Sequence, residues 1–338
     1  MIRVLIVDDS ATIRQFLRRV LEEDPNIFVV GEAADGAIAL TSCEALRPDV
    51  ITMDLVMPHS GVEAIRLIMA RIPTPIIIVS ALANEANHPM VFDGLAAGAL
   101  TVVMRPGPSS AAEYGAQKAD LIRAVKTVAD VALVGRTRSS GRPGDRTETE
   151  RDTMTLVGIG ASTGGPVATM EMLHALPEDF APSMALVQHL TLGFVPSLIE
   201  WLRTGCSLPI RLAEAGMKLP WRGMVVAPDG FHLSLKGGVV SLLDAAPRMG
   251  QRPSVDTLFE SMADWRPRSC AGVLLSGMGR DGAIGLGRLR EMGGRTMAQS
   301  ETSCIVFGMP GAAVEMGAAE LVLSPAALAR ELITLSGA

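Results

Sequence analysis

The sequence predicts two α/β domains in tandem, each built on a doubly wound, mostly parallel sheet. Its 338 residues are about twice the length of an ordinary single domain. Short β-branched runs alternate with longer amphipathic runs in both halves of the chain, which is typical of parallel strands with crossover helices. Between the halves, residues 135–152 contain no large apolar side chain. We therefore expect one domain over 1–125, a linker over 126–152 and a second domain over 153–338.

Composition and charge exclude several classes of protein. The four cysteines (Cys43, Cys206, Cys270 and Cys304) are far apart and form no CxxC pair, which argues against a zinc module or a disulfide framework. The net charge is -6 and no segment has a strong excess of Lys and Arg, so we expect no nucleic-acid partner. No apolar run reaches the roughly 18 residues of a membrane span. We expect a cytoplasmic protein that is not membrane-embedded.

The first half predicts five strands, spaced 22 to 26 residues apart, with helices between them. The first helix carries an apolar stripe at i, i+3, i+4, i+7 and i+8, beginning at Ile13, and Asp9 or Ser10 can cap it. The predicted strands are VLIV at 4–7, FVV at 28–30, VITM at 50–53, IIIV at 76–79 and VVM at 102–104.

The second half repeats the alternation after the linker. We predict strands at TLVGIG (155–160), ALVQH (185–189) and GVLLSGMG (272–279), with an amphipathic run to Leu176 after the first. The segment HLSLKGGVVSL predicts a hairpin, because Gly237 and Gly238 suit the positive backbone angles of a tight turn.

Charged and polar residues follow the strands of the first half. Asp8 and Asp9 end the first strand, Asp54 ends the third, Ser80 ends the fourth and Arg105 follows the fifth. The carboxyl ends of parallel strands share one edge of the sheet, so the three carboxylates should converge there. Converging carboxylates repel one another unless a cation lies among them, which predicts a divalent metal site.

This set resembles the receiver domain of two-component response regulators, which has a flavodoxin-like fold. The resemblance implies Mg²⁺ held by Asp9 and Asp54 with help from Asp8, a phosphoryl group accepted on Asp54, and phosphate sensing by Ser80 and Arg105. Two features depart from the family: receivers carry lysine at the position of Arg105, and they usually have one more residue between Pro58 and Gly61. Arginine keeps the charge but not the compact ammonium, so it need not hold phosphate in the same way.

Residues 160–165, Gly-Ala-Ser-Thr-Gly-Gly, lie between a predicted strand and a predicted helix. They match G-x-S-x-G, the sharp turn that exposes a nucleophilic serine, here Ser162. Gly158, Gly160 and Gly164 also resemble a dinucleotide-binding loop. That alternative needs an acidic residue at the end of the next strand, where the chain has Gln188 and His189 instead. The sequence therefore favours an esterase.

A serine nucleophile needs a base and a carboxylate partner. His189 has the right position for the base, because it ends the strand after the serine turn. Asp281 follows another apolar strand and is our candidate for the carboxylate, with Asp256 and Asp229 as rivals. The amide of Thr163, directly after the serine, is the expected oxyanion donor.

Several motifs together resemble the chemotaxis protein-glutamate methylesterases of the CheB family: GASTGGP, VQH, QRPSVDTLF, LLSGMGRDGA, AQSETSCIVFGMP and the attached receiver. The resemblance covers essentially the whole chain. It implies that Ser162 attacks glutamate γ-methyl esters on methyl-accepting chemoreceptors and releases methanol, with His189 as base and acid and Asp281 orienting it. It adds the amide of Met278 as an oxyanion donor and deamidation of receptor glutamines. Hydrolysis then needs no cofactor, and Mg²⁺ belongs to the receiver.

The resemblance also implies regulation. A chemotaxis histidine kinase donates phosphate to Asp54, and the unphosphorylated receiver occludes the serine crevice. One alternative stays open: a non-catalytic receiver-output protein that binds receptors or competes for kinase phosphate. A DNA-binding output is disfavoured, because residues 153–338 are acidic overall and too long and glycine-rich for a helix-turn-helix.

Overall fold

A computed structural model describes residues 1–81, 88–107, 110–129 and 153–337. The chain divides into two compact units, Met1–Leu133 and Val134–Ala338. Most of the expected linker, residues 130–152, lies outside the described residues.

The described part of the first unit has five parallel strands in the order β2-β1-β3-β4-β5. This is the flavodoxin-like strand order, and it confirms the predicted fold class. The strands are β1 Ile2–Val7, β2 Ile27–Ala33, β3 Val50–Met53, β4 Ile76–Ser80 and β5 Thr101–Met104; the helices are α1 Ala11–Glu22, α2 Gly36–Leu46, α3 Gly61–Arg71, α4 His88–Ala97 and α5 Ala111–Ala129.

Local sequence explains how these elements begin and where they are buried. Strand β3 is buried at every residue, as expected for a parallel sheet covered on both faces. Ser10 caps α1 by accepting a hydrogen bond from the Ile13 N–H, as expected. Helix α5 continues four residues beyond the boundary predicted at 125, because Val125 and Val128 are buried on its inner face.

The second unit is described as a seven-stranded parallel sheet in the order β14-β13-β12-β6-β7-β9-β8, with a separate hairpin of β10 and β11. Its strands are β6 Leu156–Ala161, β7 Ser183–Gln188, β8 Ile210–Leu212, β9 Met224–Val226, β10 His232–Lys236, β11 Val239–Leu243, β12 Cys270–Leu274, β13 Arg295–Gln299 and β14 Leu321–Leu323. Its helices are α6 Gly165–His174, α7 Val195–Arg203, α8 Val255–Trp265, α9 Ala283–Glu291, α10 Met309–Glu315 and α11 Pro325–Ser336.

The order in which the chain adds strands to this sheet reverses at β6, the first strand of the second unit. From β6 the chain proceeds to β7 on one side and later returns to β12 on the other side. Such a topological switch point leaves a crevice outside the carboxyl ends of the strands. The segments that follow β6, β7 and β12 therefore border one crevice.

Two glycines of β6 have a role in the core. A Cβ at Gly158 would lie 2.4 Å from Met262 Sδ, and one at Gly160 would lie 2.1 Å from Val255 Cγ1. Both neighbours belong to α8, so these glycines let the helix approach the strand closely. Close packing of α8 therefore explains Gly158 and Gly160, and the dinucleotide-binding alternative is not needed for them.

The predicted hairpin is present: β10 and β11 pair antiparallel around Gly237 and Gly238, which have φ of 62° and 81°. Among the described helices, none combines the length and apolar character needed to cross a bilayer.

Candidate functional site

Three predicted residues follow three neighbouring strands of the second sheet. Ser162 comes directly after β6, His189 directly after β7, and Asp281 lies on the loop between β12 and α9. His189 Nε2 lies 2.9 Å from Asp281 Oδ2. Both side chains are almost fully enclosed, at 6% and 3% exposure, so this charged hydrogen bond is shielded from water.

Asp281 accepts hydrogen bonds from four donors among the described residues. Its Oδ2 accepts from His189 Nε2 and the Val255 N–H (2.8 Å), and its Oδ1 accepts from Ser254 Oγ (2.7 Å) and the Asp256 N–H (3.1 Å). Burial would raise the pKa of Asp281, but the bonds from His189, Ser254 and Val255 outweigh it and hold the pKa below its usual value. The carboxylate is thus kept ionised and fixed in orientation.

The tautomer of His189 follows from this partner. An ionised carboxylate only accepts, so Nε2 carries the proton and Nδ1 has a free lone pair. Nδ1 is buried and has no hydrogen-bond partner in the part of the chain that the structure describes. A neutral imidazole whose second nitrogen is unbonded can accept a proton from a hydroxyl that comes within hydrogen-bond reach.

The turn that carries Ser162 is held from both sides. The Ser162 N–H donates to the Ser276 carbonyl (3.0 Å), and the Ser162 carbonyl accepts from the Gly165 N–H and from Gln188 Nε2, each at 2.8 Å. Gly164 has φ of 75°, and a Cβ there would lie 2.7 Å from Ile305 Cβ. The turn therefore requires glycine at 164, both for conformation and for space.

The loop after β12 lies against this turn. A Cβ at Gly277 would lie 2.8 Å from Ser162 Cβ. Ser276 Oγ donates to the Thr163 carbonyl (2.8 Å) and accepts from the Val306 N–H (3.0 Å), which links the two loops. Within the described residues, neither the Thr163 nor the Met278 N–H donates a hydrogen bond. Both amides are available to an oxyanion.

The rival carboxylates have other partners. Asp256 accepts the Gly285 N–H at 2.7 Å, and burial raises its pKa to about 6. Asp229 accepts the Gly193 N–H at 2.8 Å. Of the three candidates, Asp281 is the carboxylate hydrogen-bonded to His189 within the described residues.

The first unit contains the predicted acidic cluster. Ligand oxygens of Asp8, Asp9 and Asp54 all lie within 4.8 Å of one another. Burial raises the pKa of Asp8 to about 6 and also raises the pKa of Asp54. Three converging carboxylates offer the oxygen ligands that a hard divalent cation prefers, so these residues fit Mg²⁺.

The two predicted phosphate-sensing residues lie at adjacent strand ends. Ser80 is the last residue of β4, and Arg105 directly follows β5. The Arg105 N–H donates to the Ser80 carbonyl at 2.8 Å. The Arg105 guanidinium lies 3.6 Å from Asp8 Oδ2. A Cβ at Gly61 would lie 2.3 Å from the Asp54 carbonyl oxygen, so α3 begins against the Asp54 backbone despite the shortened loop.

Comparison with known proteins matches both units. The CheB methylesterase family model matches residues 157–332, and the response regulator receiver domain model matches residues 4–111. The chain is 41% identical, over its full length, to protein-glutamate methylesterase/protein-glutamine glutaminase 1 of Syntrophus aciditrophicus, covering 99% of that protein. The chain belongs to the CheB methylesterase family.

Further relatives agree. Protein-glutamate methylesterase/protein-glutamine glutaminase 3 of Anaeromyxobacter dehalogenans is 43% identical, with 98% of each chain covered. The crystal structure of the Thermotoga maritima CheB methylesterase catalytic domain matches 54% of this chain and all of that one, with 32% identity and a TM-score of 0.52. The CheB-family sheet described above is thus shared with a solved catalytic domain.

Sequence reasoning missed the residues that support the site of this CheB-family chain. Gln188 was noted only as the wrong residue for a ribose, yet its amide donates to the carbonyls of Ser162 and His189. The Ser254 hydroxyl donates to Asp281, and the Ser276 hydroxyl donates to the Thr163 carbonyl in the turn that carries Ser162. The sequence did carry a signal for these residues, because they lie inside the motifs VQH, RPSVD and LLSGMG. Buried positions are usually apolar, so a polar residue beside a predicted strand points to a hydrogen-bonding role.

Proposed function

We propose that this chain is a phosphorylation-regulated serine hydrolase of chemotaxis. It removes methyl groups from glutamate γ-methyl esters on the cytoplasmic helices of chemoreceptors, releases methanol, and deamidates receptor glutamines. The observation that carries the proposal is the enclosed His189–Asp281 pair, whose Nδ1 has no hydrogen-bond partner among the described residues, at the switch point that also bears the Ser162 turn. The names and full-length coverage of the relatives support the same reaction.

In the acylation step, His189 Nδ1 takes the proton of Ser162 Oγ as that oxygen attacks the ester carbonyl carbon. The resulting imidazolium still donates its Nε2–H to Asp281, and the negative charge of this carboxylate stabilises the imidazolium. The carbonyl oxygen becomes an oxyanion that accepts the Thr163 and Met278 N–H groups. Removing one such donor typically costs about 3 to 4 kcal/mol of transition-state stabilisation.

The tetrahedral intermediate collapses when His189 returns its proton to the methoxy oxygen. Methanol leaves, and the glutamyl group stays esterified to Ser162. Water then attacks the acyl-enzyme with His189 again as base, and the free glutamate carboxylate and Ser162 hydroxyl are regenerated. For a glutamine substrate the same steps release ammonia in place of methanol.

For the receiver unit, we propose that Asp54 accepts a phosphoryl group from a chemotaxis histidine kinase. Asp8, Asp9 and Asp54 would hold Mg²⁺, which neutralises negative charge during phosphoryl transfer. Arg105 lies beside Asp8, and Ser80 ends the neighbouring strand β4; both would contact the phosphate. The proposed domains are 1–125 and 153–338 with a linker over 126–152, and the proposed location is the cytoplasm.

The test is methanol release from methyl-labelled receptor membranes by the full chain. Ser162→Ala should abolish release while receptor binding persists. Ser207→Ala, on an exposed serine whose hydroxyl contacts Glu178, is the matched control and should be fully active. Wild-type methanol release by Ser162→Ala would refute the esterase proposal. Equal rates with and without a small phosphodonor and Mg²⁺ would refute the regulation alone.

A further inference from the structure

His232, the first residue of β10, is a buried polar side chain with two defined partners. It is 1% exposed. Its Nε2 lies 3.0 Å from the Ala246 carbonyl oxygen, and its Nδ1 accepts the Ser254 N–H at 3.0 Å. Because the carbonyl can only accept and the amide can only donate, the ring is neutral and carries its proton on Nε2.

Ser254, the residue that His232 holds, begins the segment that binds Asp281. Its hydroxyl donates to Asp281 Oδ1, and the next two amides, of Val255 and Asp256, donate to the same carboxylate. Of the four donors to Asp281 among the described residues, three therefore belong to Ser254–Asp256. The fourth is His189.

The N-terminus of α8 explains why Ser254 needs His232. Ser254 is the N-cap residue with extended backbone angles, φ of -110° and ψ of 136°, but its side chain does not cap its own helix. The Asp281 carboxylate takes the capping position instead, accepting the first helical amides. The Ser254 N–H points away from the helix, and within the described residues its acceptor is His232 Nδ1. Ser254 is fully buried, so water does not substitute easily for that acceptor.

We propose that His232 is a positioning residue for the hydrolysis, acting through Ser254 on Asp281. A continuous series of hydrogen bonds runs from the Ala246 carbonyl through His232, Ser254 and Asp281 to His189. This inference rests on the proposed function, because it concerns the group that orients the base. His232 touches neither Ser162 nor His189 by any hydrogen bond in the described structure, so its effect on the reaction is indirect.

Two amide variants separate this role from simple filling of the core. In His232→Asn the amide oxygen can take the place of Nδ1 and keep the Ser254 N–H bonded, while the bond to Ala246 is lost. In His232→Gln the longer side chain can reach the Ala246 carbonyl, while the Ser254 N–H loses its acceptor. The two variants differ little in volume and both remove the aromatic ring, so a purely structural role predicts similar effects.

The experiment measures kcat and KM for methanol release from methyl-labelled receptor membranes, together with the melting temperature of each full-length variant. We expect His232→Gln to lower kcat by about tenfold or more with KM changed by less than about twofold, since Asp281 acts on the imidazolium and not on substrate binding. His232→Asn should retain kcat within about threefold of wild type. Equal losses in the two variants, or unchanged kcat in His232→Gln, would overturn the proposal.

A double-mutant cycle tests the route through Asp281. In an Asp281→Asn background, adding His232→Gln should cause little further loss of kcat, because the carboxylate that His232 positions is already gone. A further loss as large as in the wild-type background would overturn the route. If His232→Gln does not fold, Ser254→Ala decides: it removes the hydroxyl bonded to Asp281, and an unchanged kcat would overturn the proposal. Absence of methanol release by the wild-type chain would instead refute the proposed function.

Discussion

Replacing Asp281 by Asn tests whether its charge, and not only its shape, supports the reaction. The side chain accepts His189 Nε2 and the Val255 N–H on Oδ2. The Val255 N–H can only donate, and at 2.8 Å it lies closer than the Asp256 N–H on Oδ1, at 3.1 Å. The new amide oxygen should therefore occupy the Oδ2 position. The amide NH₂ then faces Ser254, whose hydroxyl can rotate to accept, and the Asp256 N–H, which cannot. We expect the His189 tautomer to be preserved while the carboxylate charge is lost.

The magnitude follows from the separation of the two charges. Once His189 is protonated, the imidazolium and carboxylate centres are about 4 Å apart, and at an effective dielectric constant of about 20 their attraction is about 4 kcal/mol. Losing it from the transition state lowers kcat by roughly 10³-fold. The Asp256 N–H that loses its acceptor costs about 1 to 3 kcal/mol of folding stability as well.

The assay is methanol release at saturating receptor, with circular dichroism to show that the variant is folded. Asp244→Asn is the matched control, because Asp244 is an exposed aspartate paired with Arg252, and it should retain full activity. A folded Asp281→Asn variant whose kcat falls by less than about tenfold would refute the charge argument.

Three further predictions concern burial, turn geometry and regulation. Asp256→Asn should stabilise the chain by about 1 to 3 kcal/mol at pH 8, because burial raises the pKa of Asp256 to about 6 and the folded state carries an unfavourable charge above that pH. Urea denaturation should show this gain in the free energy of unfolding at pH 8 and its loss, in large part, at pH 4. No gain at pH 8 would contradict the prediction. Gly164→Ala should reduce methanol release at least tenfold. The control Gly216→Ala has a similar φ of 82° but nothing within 4 Å of its Cβ, so it should reduce release little. Equal rates of methanol release in the two variants would argue against the close approach at Gly164. Asp54→Asn should remove the stimulation of methanol release by a small phosphodonor with Mg²⁺. The control Asp120→Asn changes an exposed residue of α5 and should keep the stimulation. Stimulation that survives in Asp54→Asn would exclude Asp54 as the phosphoryl acceptor.

Much of the fold was predictable because parallel strands have a strong local signal. The runs at 50–53 and 76–79 are mostly apolar and are buried on both faces, and both are strands in the structure. Ser162 and His189 were candidates for the same reason: each directly follows such a run, and strand ends of a parallel sheet share an edge. The extent of α5 was less predictable, because burial of Val128 depends on its neighbours in space.

The sequence by itself determined the two-domain α/β class, the strand ends that carry Ser162, His189 and Asp54, and the family to which the motifs belong. These features depend on residues close together along the chain. Only the tertiary structure decided that Asp281 caps α8, that His189 bonds Asp281 through Nε2 and leaves Nδ1 unbonded among the described residues, and that His232 holds Ser254. The contact of His189 with Asp281 depends on β12 returning beside β6, and the other two contacts depend on distant segments packing against the start of α8. Contacts between distant segments leave no periodic signature in the sequence.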